Sequence, residues 1–283
     1  MITDIEYINL INYVQSNGSL VLTRNCFVQS SVDTPAIIFT TTPLVTVRKT
    51  AWTTALKEME WFMSGNPKCP HSLLSWWKDQ LAPDGQYHGG YGVQFRRSGE
   101  KSKPFDQIKE VLNAVKNHPQ SRRIIFTSWN PVDMFNIVKL NNNSNTPTTC
   151  HSRLVQLFVR KNKLFMTSYQ RSADLLLGVP HNWIQSWALL LWFAHHCQLE
   201  VGHLRWLFGD AHIYQHESHL ATAIQLVESL KLISPNKKPT FQLKYDPSQD
   251  YSAREVPPFK ADDFIMEGFI EEPLVKTKPF LII

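Results

Sequence analysis

A chain of 283 residues with 43% hydrophobic and 19% charged residues can bury a large core, and that balance excludes long disorder. Its formal charge of +5 comes from lysines and arginines scattered along the chain, with no basic run interleaved with aromatics, which argues against nucleic-acid binding as the main role. No apolar run is long enough to span a bilayer, and Met1-Ile2-Thr3-Asp4 lacks a basic, then apolar leader, so a cytoplasmic protein is expected.

In chain order, helices are expected over residues 53–63 and 106–117, followed by a strand over 123–128. The polar, turn-rich stretch Asn141-Asn142-Asn143-Ser144-Asn145-Thr146-Pro147 predicts a loop, and it runs directly into Thr148-Thr149-Cys150-His151. Two strands follow, over 154–159 and 163–169, joined by a turn at Arg160-Lys161-Asn162. A long helix is expected after Pro180 with Trp183, Trp187, Leu190, Leu191 and Ala194 on its apolar side, then a strand over 240–245. No repeat or linker divides the chain, so the pattern is an α/β (α+β) fold in a single domain over residues 1–283.

The four cysteines, Cys26, Cys69, Cys150 and Cys197, are not at CxxC spacing, so neither a zinc site nor a redox pair is expected and no metal is assigned. Cys197 lies in an apolar run and reads as a small core residue. The segment from Tyr169 to Asn182 packs a guanidinium, a hydroxyl, a carboxylate and a carboxamide into a short span. Arginine with serine suits a phosphate, through a charged fork and one hydroxyl donor. A solvated loop would explain that segment alone, but not together with Cys150-His151 and Gly209-Asp210-Ala211-His212-Ile213-Tyr214.

Those stretches carry a resemblance. With Pro43-Leu44-Val45-Thr46, Glu58-Met59-Glu60-Trp61-Phe62, Tyr91-Gly92-Val93-Gln94-Phe95-Arg96, Ser121-Arg122-Arg123-Ile124, Gln170-Arg171-Ser172-Ala173-Asp174 and Gly178-Val179-Pro180-His181-Asn182, the chain resembles the thymidylate synthase family from about Arg24 to Phe269. The resemblance implies a three-layer sandwich with a large mixed sheet at a homodimer interface, acting on dUMP with 5,10-methylenetetrahydrofolate as co-substrate. It implies that Cys150 attacks C6 of the uracil ring as a thiolate. Glu58, Tyr91 and His151 would move protons. Arg24, Gln170, Arg171 and Ser172 would bind the nucleotide, with Arg122 and Arg123 reaching in from the partner subunit, and His212 and Tyr214 would hold the deoxyribose. Trp77, Asp174, Leu177, Gly178 and His181 would line the folate site. Asn182 would read the base, because a carboxamide offers a donor to O4 and an acceptor to N3–H of uracil, whereas cytosine presents the reverse pattern.

The chain departs from the synthase pattern on the folate side. Gln80 stands where a second tryptophan is usual, His181 replaces a phenylalanine, and Thr148-Thr149 precede the nucleophile. Glu60 is a carboxylate at an apolar position, as in the phage dCMP hydroxymethylases, and the chain ends on the bulky Pro279-Phe280-Leu281-Ile282-Ile283. Together these predict a wetter pocket in which water, not hydride, quenches the methylene intermediate, that is, a dUMP hydroxymethylase of bacteriophage type. The rival readings are a divergent thymidylate synthase and a catalytically silent, RNA-binding homologue.

Overall fold

The computed structural model describes residues 2–23, 26–87, 90–99, 103–131, 153–234, 240–277 and 279. Helix α1 (Ile2–Asn17) leads into strands β1 (Ser19–Leu22), β2 (Phe27–Ser31) and β3 (Ile37–Phe39). Helices α2 (Trp52–Ser64), α3 (Leu74–Trp77), α4 (Tyr91–Arg97) and α5 (Gln107–Asn117) follow, then strand β4 (Ile125–Thr127). Strands β5 (Arg153–Arg160) and β6 (Lys163–Asp174), helix α6 (Gly178–His196), strand β7 (Glu200–Tyr214) and helix α7 (Glu217–Ser229) come next. Strands β8 (Phe241–Tyr245) and β9 (Phe264–Gly268) form a separate antiparallel pair.

The other seven strands form one mixed sheet in the order β1-β2-β7-β6-β5-β4, with β3 also on β7. Only β6 and β7 run parallel among these neighbours, and α6 is the crossover that such a pair requires. Sequence reading ended β6 at Tyr169. It continues to Asp174 because β7 supplies ladder partners as far as Asp174 opposite His212. The turn between β5 and β6 places Lys161 and Asn162 at φ 48° and 59°, the double left-handed geometry that matches the twist of a tight hairpin.

Burial alternates along β5: Arg153, Val155, Leu157 and Val159 face the helical layer, while Leu154 and Arg160 are exposed. Helix α6 is buried nearly all round, with Trp183, Trp187, Leu190 and Ala194 in the core as expected but Leu191 only partly so. Cys197 is corrected in the same way. It sits one residue past the helix end, half-buried, and burial raises its thiol to about 11. Helix α2 stops at Gly65, whose φ of 70° lets its N–H close on the Phe62 carbonyl. Asp106 caps α5 by accepting from the Lys109 amide, and the inner stripe Ile108, Val111, Leu112 and Val115 is buried.

Asp4 ties α1 down, accepting from the Thr46 and Val47 amides at 2.7 and 3.0 Å and from the Thr46 hydroxyl at 2.8 Å. The face of the sheet opposite α6 keeps large apolar side chains in the open, among them Ile38, Ile125, Leu154 and Tyr169. Among the described residues, no helix is long and apolar enough to cross a membrane.

Candidate active site

Helical spacing puts Asn182, Gln185 and Ser186 on one face of α6, and strand alternation points Arg153 towards the same layer. The four meet. The Arg153 Nη2 donates to Asn182 Oδ1 at 2.7 Å and to Gln185 Oε1 at 2.8 Å, while Nη1 donates to Ser186 Oγ at 3.1 Å. The guanidinium also lies 5.7 Å from the centroid of the Trp206 ring. Burial lowers the Arg153 pKa to about 10, against the opposing influence of Tyr91 and Glu58, so the group stays cationic at neutral pH.

The chain of contacts runs on to Glu58. Gln185 Nε2 donates to Glu58 Oε2 at 2.6 Å and to the Ala55 carbonyl at 2.9 Å, and Trp77 Nε1 donates to Glu58 Oε1 at 2.6 Å. Both carboxylate oxygens therefore accept hydrogen bonds inside the protein. Tyr91, at the start of α4, packs 4.7 Å from Phe62 and 6.4 Å from Trp77, ring to ring. Glu58, Tyr91, Trp77 and Asn182 are thus brought to one buried region.

A second group forms where β6 and β7 pair. Their register sets Ser172 beside Asp210 and Asp174 beside His212. The His212 ring lies with Nδ1 3.1 Å from Asp210 Oδ1 and its centroid 5.2 Å from that of Tyr214. Burial pushes the Asp210 carboxyl up, but His212, Ser30 and Arg171 together outweigh it and hold the group below its usual range. Arg171 lies with its guanidinium 5.5 Å from the centroid of the Trp129 ring, and Gln170, fully buried, donates to the Ser172 carbonyl at 3.0 Å. Asp174 Oδ1 accepts from the amides of Leu176 and Leu177 at 2.9 and 3.1 Å, turning the chain into α6 at Gly178. Leu177 and Gly178, the residues that follow, are half-buried.

Arg122 and Arg123 are exposed beside the β4 edge, where the Arg122 carbonyl accepts from Gln156 at 2.9 Å. Arg24, Cys150 and His151 lie outside the described residues, as do Thr148, Thr149 and the loop before them.

Two departures expected to wet the pocket do something else. Glu60 is on the opposite side of α2 from Glu58, since two helical residues turn through about 200°. Its carboxylate pairs with Lys260 at 2.9 Å and accepts from the Ala261 amide at 2.9 Å, fastening a distant segment. His181 uses both ring nitrogens internally: Nδ1 donates to the Leu177 carbonyl at 2.8 Å and Nε2 accepts from the Ala51 amide at 3.3 Å. Burial drives its pKa down to about 4, so the ring is neutral, and it packs 5.0 Å from Trp76. Gln80 is half-buried at the end of the turn after α3.

Arg153, Gln185 and Ser186 were not anticipated. Two signals existed: an arginine in phase with Val155, Leu157 and Val159, and a polar stripe at i, i+3 and i+4 on an otherwise apolar helix.

A buried carboxylate wired to a buried carboxamide, with a strand pair bearing arginine, serine, histidine and tyrosine, has the chemistry of an enzyme site for a small polar substrate. The family described as "Thymidylate synthase" matches residues 5–280. The thymidylate synthase of Francisella tularensis subsp. holarctica (strain FTNF002-00 / FTA) is 32% identical over 288 residues, covering 96% of this chain and 98% of its own. That of Francisella philomiragia subsp. philomiragia is 31% identical with the same coverage. The chain belongs to the thymidylate synthase family. It is a one-carbon transferase acting at C5 of dUMP, and the co-substrate of the family is methylenetetrahydrofolate.

Proposed function

We propose that the enzyme is a dUMP hydroxymethylase: dUMP, methylenetetrahydrofolate and water give 5-hydroxymethyl-dUMP and tetrahydrofolate. The observation that carries this reading is the run of hydrogen-bonding groups from Glu58 through Gln185 and Arg153 to Asn182, set among buried aromatic and aliphatic side chains such as Trp61, Phe62, Trp183 and Trp206. A water beside such groups finds the partners that an apolar wall denies it. Gln80, at a position where the family usually carries tryptophan, adds to that polarity. Glu60 and His181 do not contribute.

In this reading Cys150 adds to C6, making C5 nucleophilic, and Glu58, Tyr91 and His151 serve the proton transfers. Arg24, Gln170, Arg171 and Ser172 bind the nucleotide, His212 and Tyr214 hold the sugar, and Trp77, Asp174, Leu177, Gly178 and His181 flank the folate. One catalytic domain spans the chain and works in the cytoplasm as a homodimer. The open apolar face with Ile38, Ile125, Leu154 and Tyr169, and the exposed Arg122 and Arg123 at its margin, support pairing through the sheet. Such chemistry suits a bacteriophage that replaces thymine in its DNA.

Mass spectrometry of the product formed in oxygen-18 water is the test. The expected product carries the label in its new hydroxyl, without the near-ultraviolet rise of dihydrofolate. Unlabelled dTMP with stoichiometric dihydrofolate overturns the reading. That outcome is the second reading, a thymidylate synthase, favoured by the names of the Francisella relatives and by the tightly bonded His181. Under either reading Cys150→Ser abolishes turnover while dUMP still binds.

A further inference from the structure

Asn182 is 3% exposed, and its Nδ2 has no hydrogen-bond partner among the described residues. Its Oδ1 faces Arg153 Nη2 at 2.7 Å. A guanidinium has donors and no acceptor, so the reverse amide orientation would set N–H against N–H. Arg153 cannot relax to permit it. Its other contacts are the Gln185 and Ser186 oxygens, and Gln185 is itself held by acceptors at its Nε2, namely Glu58 Oε2 and the Ala55 carbonyl. Donors and acceptors therefore follow one fixed sense from the Glu58 carboxylate to Asn182, and the amide group left over at the end is a donor.

Resting on the nucleotide reading above, we infer that Arg153 is a positioning residue that selects the base, by locking the Asn182 carboxamide in the orientation that fits uracil and opposes cytosine. The locked Nδ2–H meets O4 of uracil, and the second lone pair of Oδ1 takes N3–H. Cytosine needs an acceptor for its amino group and a donor for N3, which demands the flipped amide. The flip buries an unmatched donor against a cation, which corresponds to about 10- to 100-fold discrimination. Without Arg153 the Asn182 carboxamide rotates to suit either base.

The test is calorimetric titration of dUMP and dCMP into the full-length wild type, Arg153→Met, Arg153→Gln and Arg153→Lys. Wild type is expected to favour dUMP. Methionine, which removes the donor, and glutamine, which can turn either way, should each shrink the ratio of dCMP to dUMP dissociation constants by about 10- to 100-fold. Lysine, a donor only, should restore most of it. Glutamine keeps the site polar, so the measurement survives if the methionine variant does not fold. A ratio unchanged in a folded methionine or glutamine variant, with both affinities falling together, makes Arg153 merely structural and overturns the inference while leaving the nucleotide reading intact. A wild type that binds neither nucleotide overturns the nucleotide reading itself, and the inference with it.

Discussion

Replacing Gln185 by leucine tests whether the buried chain of contacts holds the fold together as well as the site. Gln185 is fully buried and makes three bonds: it accepts from Arg153 at 2.8 Å and donates to Glu58 at 2.6 Å and to Ala55 at 2.9 Å. Leucine fills nearly the same volume, so cavity formation is a minor effect. Two of the lost bonds are to charged groups, worth about 1.5–3 kcal/mol each, and one is neutral, worth about 1 kcal/mol. The gain from burying an aliphatic group offsets about 1–2 kcal/mol. Arg153 keeps Asn182 and Ser186, Glu58 Oε1 keeps Trp77, and Ala55 stays inside α2, but Glu58 Oε2 loses this bond. The expected loss is therefore about 2–6 kcal/mol. With a urea slope of about 3 kcal/mol/M for a chain of this size, the unfolding midpoint falls by about 0.7–2 M. Equilibrium unfolding should be followed by circular dichroism at fixed protein concentration, because assembly shifts apparent stability. Trp77→Phe, which removes the other bond to Glu58, should combine with Gln185→Leu non-additively because the two share one carboxylate. A midpoint within about 0.2 M of wild type would refute the reasoning.

Burial holds His181 and His196 at about 4, from a usual 6.5, so the folded state binds fewer protons than the unfolded chain between those values. Their stabilisation is full above pH 6.5 and lost as pH falls towards 4, with a slope of up to ~1.4 kcal/mol per pH unit for His181. His181→Gln should flatten the urea midpoint measured from pH 7 to 5, and an unchanged slope would dismiss that assignment. Lys161→Asn with Asn162→Gly, at two positive-φ positions, should raise stability by about 0.5–1 kcal/mol, read as a higher melting temperature. Glu60→Gln breaks a half-exposed pair with Lys260 and should cost less than about 1 kcal/mol while leaving the product ratio unchanged in a mass-spectrometric assay.

Periodicity sufficed for α2, α5, β5 and the hairpin after it, because each buries one face in a regular rhythm. It failed at Tyr169, where the pattern lapses but β7 continues to supply ladder partners. The motif residues Glu58, Asn182, Arg171 and His212 stand out in the sequence because their side-chain types suit a chemistry, and the structure gives each of them polar or ring contacts. Glu60 was misjudged because its polarity was weighed without its phase on the helix, and His181 because a polar ring was equated with a wet one. Arg153 was passed over because the strand was started one residue late, at Leu154. Read from 153, the same alternation puts a guanidinium in the core.

The Arg153, Gln185 and Ser186 cluster also constrains how this sequence could have arisen. A guanidinium introduced first would be a buried cation lacking two of its acceptors, and a glutamine introduced first would leave an oxygen unmatched. Either intermediate leaves a buried polar group unmatched and is less stable than the completed cluster. The substitutions are therefore contingent on one another, and lineages should hold them as a block. Among relatives, an aliphatic or aromatic residue opposite Arg153 should travel with a non-bridging residue opposite Gln185. Transplanting Arg153 alone into such a background should unfold it.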